Sequence, residues 1–296
     1  CGADIMLGSG AVNQEDVKAA IAQYLPGARL HVGHSRPEQL MANADLAIGA
    51  GGGTAWERCA LGLASIVIQT SGNQDSIISA LDEAGAIWPA GHRRDLTVQK
   101  LSFLLNSVIE DDAARSAVSS RAAQLCDGLG ARRVAQGILA PLAKDQLRIS
   151  LRPITHADGD LLLIWQQDPE IRRFFRDSNA PSAEEHLNWM TSRLADPGCC
   201  FNMICHGGEA AGIIRLDMIE ATGPGTDFEV SILVGPRKQE LGIGAAALGL
   251  ARDLLPEADF HAEVLERNIA SHTLFARAGY QEITPGHYVH PARQIP

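Results

Sequence analysis

A pair of glycines, Gly242 and Gly244, stands where an alanine-rich helix is predicted to begin, after an apolar strand that ends at Gly235-Pro236. The first turn of a helix presents backbone N–H groups without intrahelical partners, and glycines let an anion approach them closely. A diphosphate suits such a turn, although two glycines alone are more often explained by a tight strand-to-helix connection. The residues that would surround the anion are Gln239, Glu240, Leu241, Gly242, Ile243, Gly244 and Ala245.

A second glycine turn lies in the first third of the chain, where Gly51, Gly52 and Gly53 precede Thr54 between a strand and a helix. Its N–H groups and its hydroxyl suit a phosphate. Glu57 follows one helical turn later, where a carboxylate can accept two hydrogen bonds from a ribose diol. An acid near the start of a helix also stabilises the helix dipole, so the local pattern fits a nucleotide site and a plain helix start equally well.

The patterning of apolar residues predicts two domains, residues 1–145 and 146–296. In the first, repeated β-α units predict an α/β domain with a doubly wound, parallel, Rossmann-like sheet, covered by helices at 96–109 and 112–128. In the second, two helices, a run of strands and the helix of the glycine turn predict an α+β domain with mainly antiparallel strands. The expected strands of the first domain are 5–7, 30–32, 46–49 and 65–68, and its expected helices are 13–24, 37–42, 54–61 and 74–83.

Composition narrows the class of partner. The 296 residues carry a formal net charge of −10, which argues against a nucleic acid or an anionic membrane as partner. Six cysteines form no C-x-x-C pair, so we expect reduced thiols and no metal site in a cytoplasmic protein. Without an apolar run of about 18 residues, the sequence predicts no membrane span.

The second domain resembles the GNAT acetyltransferases over about residues 148–285. The resemblance rests on Gln239-x-x-Gly242-x-Gly244 after a strand, followed by Asn268-x-x-Ser271 and by Phe275-x-x-x-Gly279-Tyr280. It implies acetyl-CoA as the cofactor, with the diphosphate on the glycine turn. The pantetheine arm would follow the backbone of Ile232, Leu233 and Val234. Asn268 and Ser271 would hold the cofactor, cap the helix that they precede, or do both.

Two departures from the family pattern affect the expected chemistry. Glu240 and Leu241 stand where the turn usually has a glycine and often a lysine, so the turn is less basic. Phe275 stands where a tyrosine often protonates the leaving thiolate. Tyr280 is therefore the candidate acid, with protonation by solvent as the alternative, and Glu229 is the candidate base. A paired strand carboxylate is an equally good interpretation of Glu229.

His186 and Trp189 are the candidate acceptor-binding residues, because their i, i+3 spacing places them on one face of a predicted helix. A tryptophan at such spacing also serves as an ordinary core residue.

The first domain resembles the nucleotide-binding C-terminal half of GT-B enzymes, and among them the UDP-2,4-diacetamido-2,4,6-trideoxy-β-L-altropyranose hydrolases of pseudaminic acid biosynthesis. The resemblance rests on Gly49 to Glu57, Cys59 to Ile68 and Gly72-Asn73-Gln74. It implies that Gly51, Gly52, Gly53 and Thr54 hold a diphosphate, that Glu57 holds the uridine ribose, and that Asn73 and Gln74 help to bind the nucleotide. Such enzymes carry the catalytic histidine on an N-terminal domain, which we expect to be missing here.

The two resemblances together predict an N-acetyltransferase that acts on the 4-amino group of a UDP-amino-sugar, fused to an incomplete UDP-sugar hydrolase. Consecutive reactions on one substrate would profit from such a fusion. Hydrolysis by this chain is expected to be absent or impaired. The alternatives are a GNAT enzyme for a protein N-terminus or another amine, with a first domain that only binds nucleotide, and a non-catalytic nucleotide sensor.

Overall fold

The structure is a computed structural model that describes residues 2–221 and 225–293. The chain forms two compact units that divide between Gly128 and Leu129. Each unit has its own cluster of buried apolar side chains. Among the described residues, no helix combines the length and the apolar character needed to cross a membrane.

The first unit is built from parallel strands joined by helices, as its β-α patterning predicts. Its strands fall into two separate ladders among the described residues, β1-β2 and β3-β4-β5, so one continuous doubly wound sheet is not what this structure shows. The strands are β1 (Asp4–Leu7), β2 (Arg29–Val32), β3 (Ala47–Ala50), β4 (Ser65–Gln69) and β5 (Trp88–His92). The helices are α1 (Gln14–Tyr24), α2 (Pro37–Ala42), α3 (Gly53–Ala60), α4 (Asp75–Glu83), α5 (Val98–Glu110) and α6 (Asp112–Leu125).

Strand β5 is an element of this unit that the sequence did not predict. It contains Pro89 and Gly91, two residue types that normally argue against a strand. Because β5 pairs only with β4 and lies at the edge of its ladder, the missing N–H of Pro89 costs the sheet no central hydrogen bond.

The second unit contains a seven-stranded sheet in the order β11-β12-β10-β9-β8-β7-β6. Every neighbouring pair is antiparallel except β9 and β10, which run parallel, so the expected antiparallel α+β arrangement is observed. The strands are β6 (Ile149–Pro153), β7 (Cys199–His206), β8 (Glu209–Ile219), β9 (Thr226–Val234), β10 (Ala258–Glu263), β11 (Gln281–Thr284) and β12 (His287–His290).

The α-helices that the structure describes in the second unit are α7 (Gly130–Ile138), α8 (Gly159–Gln167), α9 (Pro169–Arg172), α10 (Ala183–Ala195), α11 (Ile243–Leu254) and α12 (Ile269–Arg277). Helix α11 follows the glycine turn and buries one apolar stripe, which includes Ala247, Leu248 and Leu254, in the same cluster as the β9 and β10 side chains. This packing fixes the start of α11 relative to the centre of the sheet.

The division between the units falls earlier than the boundary expected near residue 145. Helix α7 contacts α11 in the second unit: the Gln136 side chain donates a 2.6 Å hydrogen bond to the Leu250 carbonyl, and Arg132 pairs with Glu257 at 2.9 Å. A boundary near residue 145 would assign α7 to the first domain. The apolar periodicity of a helix shows that it has an apolar face, but it does not show which element packs against that face.

Candidate functional site

Strands β9 and β10 diverge at the centre of the sheet of the second unit. Their parallel pairing runs from Thr226 opposite Ala258 to Glu229 opposite His261 and continues no further among the described residues. On its other side, β9 remains paired with β8 up to Val234. The backbone of residues 230–234 therefore faces an opening instead of a neighbouring strand, which leaves N–H and C=O groups for a ligand.

The glycine turn lies just beyond the end of β9. Gly242 has a left-handed φ of 82° and immediately precedes α11, whose first backbone hydrogen bond joins the Ala246 N–H to the Gly242 carbonyl at 3.1 Å. A left-handed φ is easy for glycine and strained for most other residues. The helix thus begins with free N–H groups at residues 243–245, as expected for an anion-binding turn.

Gly244 has a packing role in addition to its place in the turn. A Cβ atom at residue 244 would lie 3.1 Å from Leu274 and 3.6 Å from Val234. Substituting Gly244 by valine therefore changes the packing between α11 and α12, and loss of cofactor binding in that variant would not report on the diphosphate alone.

Two other residues of the turn are strained. Arg237 has a φ of 63° and Glu240 a φ of 65°, both in the left-handed region. Glu240 is one of the two positions where the family usually has other residues, and its backbone conformation explains why glycine suits that position. Side chains in this region cost roughly 1–2 kcal/mol each.

The opening between β9 and β10 leads into a cavity of about 740 Å³. One wall is the divergent part of β9, Val230 to Leu233, and another is formed by Val264 and Leu265, which follow β10. The remaining walls come from β8, α8, α9, α10, α12 and the segment after α9. The predicted residues Glu229, Ile232, Leu233, His186, Trp189, Asn268 and Ser271 all line this cavity.

Glu229 reaches the cavity as half of a carboxylate pair. Nη2 of Arg176 donates to Glu229 Oε1 at 2.8 Å and to Glu263 Oε2 at 2.5 Å. Glu263 ends β10, and its backbone lies two residues beyond the position that pairs with Glu229. Neither Arg176 nor Glu263 is predicted from the sequence: Glu263 follows only from the strand register, and nothing in the segment around Arg176 indicates its contacts.

Two further guanidinium groups line the cavity. Arg172 lies over the Phe175 ring at 4.7 Å, and its buried Nε has no hydrogen-bond partner in the described part of the chain. Arg215 is held by Asp217 at 2.7 Å and lies over the Trp189 ring at 5.5 Å. The cavity therefore offers positive groups, which suit an anionic substituent, as well as the carboxylate pair.

His186 and Trp189 form part of the wall of the cavity rather than a reactive pair. The Nδ1 atom of His186 lies 3.2 Å from Gln166 Oε1, and its Nε2 lies 3.0 Å from the Gly159 carbonyl. With both ring nitrogens engaged and the residue buried, His186 positions the adjacent Trp189, which packs edge-on against Phe201. Both residues thus line the cavity and also take part in the packing beneath it.

Asn268 and Ser271 stand at the start of α12. The Asn268 side chain accepts the Ser271 N–H at 3.1 Å, which makes Asn268 the N-cap of the helix. Ser271 and Phe275 lie one helical turn apart and both line the cavity. The capping role is therefore observed, and the hydroxyl of Ser271 remains available to a ligand.

Tyr280 is not in a position to act as the acid. It is 4% exposed, packs edge-on against Phe275 and belongs to the hydrophobic core rather than to the cavity lining. Burial raises the pKa of its hydroxyl above the usual value, so the group holds its proton tightly. The sequence placed it close to the site because α12 ends beside it, but the chain turns its ring into the core.

In the first unit, the second glycine turn connects β3 to α3. Gly52 is the N-cap of α3 and Gly53 its first residue, and the side chains of Thr54 and Glu57 are exposed. A Cβ at Gly52 would lie 3.6 Å from Nε2 of Gln74, so the turn and Gln74 are neighbours, as expected. Asn73 is exposed in the short turn before α4.

A mostly antiparallel sheet that opens at one parallel pair, beside a glycine turn at a helix start, defines a cofactor-binding α+β domain in the second unit. Residues 148–281 match the family model of the acetyltransferase (GNAT) domain. The second unit therefore contains a GNAT acetyltransferase domain, and the resemblance seen in the sequence is confirmed for this half of the chain.

The chain is also similar to an uncharacterized protein of Methanocaldococcus jannaschii, with 30% identity over 145 residues. The match covers 47% of this chain and 29% of that protein, so the chain spans less than a third of its curated relative.

Solved structures with a similar fold cover about half of the chain. A domain from Methanocaldococcus jannaschii is 23% identical, covering 48% of this chain and 96% of that one, with a TM-score of 0.42. The GNAT domain of S. lividans PAT is 24% identical, with 51% and 93% coverage and a TM-score of 0.42. Spermidine N-acetyltransferase from Vibrio cholerae, solved with CoA and spermine, is 16% identical, with 48% and 91% coverage and a TM-score of 0.41.

Proposed function

We propose that the second unit is an acetyl-CoA-dependent N-acetyltransferase. The observation that carries this proposal is the divergence of β9 from β10 beside the glycine turn at the start of α11. The free N–H groups at residues 243–245 and Gln239 would bind the diphosphate. The backbone of Ile232, Leu233 and Val234 would bind the pantetheine arm along the open edge of β9.

Acetyl transfer at this site requires a deprotonated amine and a polarised thioester. The amine nitrogen forms a bond to the acetyl carbon, the C–S bond breaks, and CoA leaves as a thiolate. A free β9 N–H group stabilises the oxyanion that develops on the carbonyl oxygen. Glu229 accepts the proton from the attacking amine, directly or through a water. Because Phe275 has no proton to give, solvent protonates the thiolate.

The acceptor that we propose is a UDP-amino-sugar of pseudaminic acid biosynthesis, a small molecule of the cytoplasm, which would be acetylated on its 4-amino group. Two features of the cavity support an acceptor with both charges. Glu229 and Glu263 suit an ammonium group before its deprotonation, while Arg172 and Arg215 suit the phosphates of a sugar nucleotide. Trp189 and His186 would flank the sugar.

For the first unit we propose a UDP-binding role as part of an incomplete UDP-sugar hydrolase module. Gly51 to Thr54 supply N–H groups and a hydroxyl, Glu57 a ribose-binding carboxylate, and Asn73 and Gln74 side-chain amides. These groups bind a nucleotide but do not activate water, so we expect hydrolysis of the sugar–phosphate bond to be absent or slow.

One reaction mixture tests both activities. The purified chain is incubated with acetyl-CoA and a UDP-4-amino-sugar, and the release of CoA and of UDP is followed separately. We expect CoA release without UDP release. Robust UDP release would show that the hydrolytic groups are present after all.

A GNAT enzyme for a protein N-terminus or another amine is the second candidate. It is favoured by the carboxylate pair Glu229 and Glu263, which would bind any ammonium group whether or not a nucleotide is attached. CoA release with a simple polyamine or a peptide, together with none from the amino-sugar nucleotide, would support this candidate.

A further inference from the structure

Arg58 is a buried cation directly behind the glycine turn of the first unit. It is 5% exposed and lies on α3, one turn after the start of the helix. Its guanidinium fits between β3 and α3 because residue 49 is a glycine: a Cβ there would lie 2.8 Å from Nη1 of Arg58. The close approach of the turn to this side chain is thus built into the sequence.

Arg58 has no ion pair with a carboxylate within the described part of the chain, although the nearby Glu57 favours its charged form. Arg58 donates from Nη2 to the Ala50 carbonyl at 2.8 Å and from Nη1 to Thr54 Oγ1 at 3.3 Å, and it forms no ion pair. Its Nε is buried and has no partner. Burial lowers the pKa of the guanidinium, as expected for a desolvated cation. A buried charge without a counterion is costly, so a bound anion would relieve this arrangement.

The hydrogen bond from Arg58 also determines the direction of the Thr54 hydroxyl. Because Thr54 Oγ1 accepts from the guanidinium, its own proton remains available for a different acceptor. Thr54 is exposed at the second position of α3, beside the free N–H groups of the turn. The hydroxyl and those N–H groups can therefore meet the same anion.

We propose that Arg58 is the positioning residue of a diphosphate site at this turn, acting through Thr54 and through its buried charge. The inference rests on the proposed nucleotide-binding role of the first unit and adds to it a residue that orients the hydroxyl donor. The ligand class is a nucleoside diphosphate whose phosphates take up the N–H groups of residues 53 and 54.

Calorimetry on the full chain tests the proposal with three probes: UDP, inorganic pyrophosphate and uridine. The variants are Thr54→Val, which removes the hydroxyl at nearly constant shape, Arg58→Lys, which keeps the charge but loses the fork of donors, and Arg58→Met. We expect UDP and pyrophosphate to bind about tenfold more weakly to Thr54→Val and Arg58→Lys, and weaker still to Arg58→Met, with uridine affinity unchanged. In the Thr54→Val/Arg58→Lys double variant, the loss of binding free energy should be smaller than the sum of the two single losses, because the two residues are coupled.

The outcomes separate this inference from the proposed function. If Thr54→Val and Arg58→Lys each bind pyrophosphate and UDP as tightly as wild type does, the proposed role of Arg58 is wrong. The same holds if wild type binds neither pyrophosphate nor UDP. Pyrophosphate binding that depends on Arg58, without any gain from the uridine moiety, would keep the anion site and reject UDP as its ligand. Circular dichroism and thermal unfolding of each variant serve as the folding control, and Thr54→Val carries the test if Arg58→Met does not fold.

Discussion

Glu229 lines the cavity with its carboxylate already paired to Arg176, which also pairs with Glu263. Arg176 is mostly exposed, so its ion pairs are weak and an incoming ammonium group can replace it between the two carboxylates. The two glutamates then have different duties. Glu229 lies on β9 beside the position proposed for the thioester, whereas Glu263 ends the neighbouring strand.

We therefore expect Glu229→Gln to lower kcat by about 10²-fold, the lower end of the range for loss of a general base. Glu263→Gln is the matched control and should mainly raise the KM for the amine. Steady-state kinetics at several pH values distinguish the two, since the wild-type rate should rise as the amine deprotonates. Equal kcat values in wild type and Glu229→Gln would remove Glu229 from the role of base.

The strained residues of the glycine turn give a second matched pair. Glu240→Gly and Arg237→Gly each remove a side chain from a left-handed backbone and should each raise the free energy of unfolding by roughly 1 kcal/mol. Only Glu240→Gly also removes a negative charge near the turn proposed to bind the diphosphate, so it alone should bind acetyl-CoA more tightly. Thermal unfolding and calorimetry provide the two measurements, and tighter binding by Arg237→Gly would contradict the electrostatic part.

At the scale of elements, the connection between β6 and α8 depends on one carboxylate. Asp158 accepts from Arg152 at 2.9 Å and 2.6 Å, and it forms a capping box with Thr155, whose N–H donates to it at 2.9 Å. The Arg152 guanidinium, with the Thr155 backbone, lowers the pKa of Asp158 from 3.8 to about 2. This residue joins the first strand of the sheet to the helix that carries Gln166 and Trp165.

The depressed pKa predicts an acid-labile contribution to stability. Because the pKa is lower in the folded state, the contribution is complete above about pH 4 and is lost as the pH falls towards about 2. We expect Asp158→Asn to be about 1–2 kcal/mol less stable than wild type at neutral pH, after allowance for the half-exposed Arg152, and this difference should shrink in acid. Denaturant unfolding between pH 6 and pH 2 measures it; a difference independent of pH would exclude the ion pair as its cause.

The elements that the sequence predicted well are those decided by local pattern. The helices between residues 14 and 83 and the strand Thr226–Val234 follow from glycine turns and apolar periodicity. What it did not predict depends on partners distant in sequence: β5 with its Pro89, the Arg176 contacts, the burial of Tyr280 and the association of α7 with α11. The local sequence around a residue does not show which distant residues it contacts in the fold.

At the scale of the whole molecule, the boundary between Gly128 and Leu129 predicts how the chain can be divided. A fragment of residues 129–296 keeps α7, whose Gln136 bonds to α11, and should fold and bind acetyl-CoA. A fragment of residues 146–296 lacks α7 and should unfold about 10 °C lower, because the α11 surface that meets Gln136 and Leu129 becomes exposed. Equal melting temperatures would show that α7 contributes nothing to the second unit.

Because β9 diverges from β10, the sheet of the second unit has an open strand edge, and the proposed acetyl-CoA would occupy it. If acetyl-CoA lies along residues 230–234, its amide groups take the place of a strand, and every catalytic cycle assembles and dismantles a part of the sheet. Local opening of the β9 backbone at residues 230–234 should then become rarer when acetyl-CoA is bound. Amide hydrogen exchange at residues 231–234 should slow when acetyl-CoA is added, whereas exchange in β7 should not change.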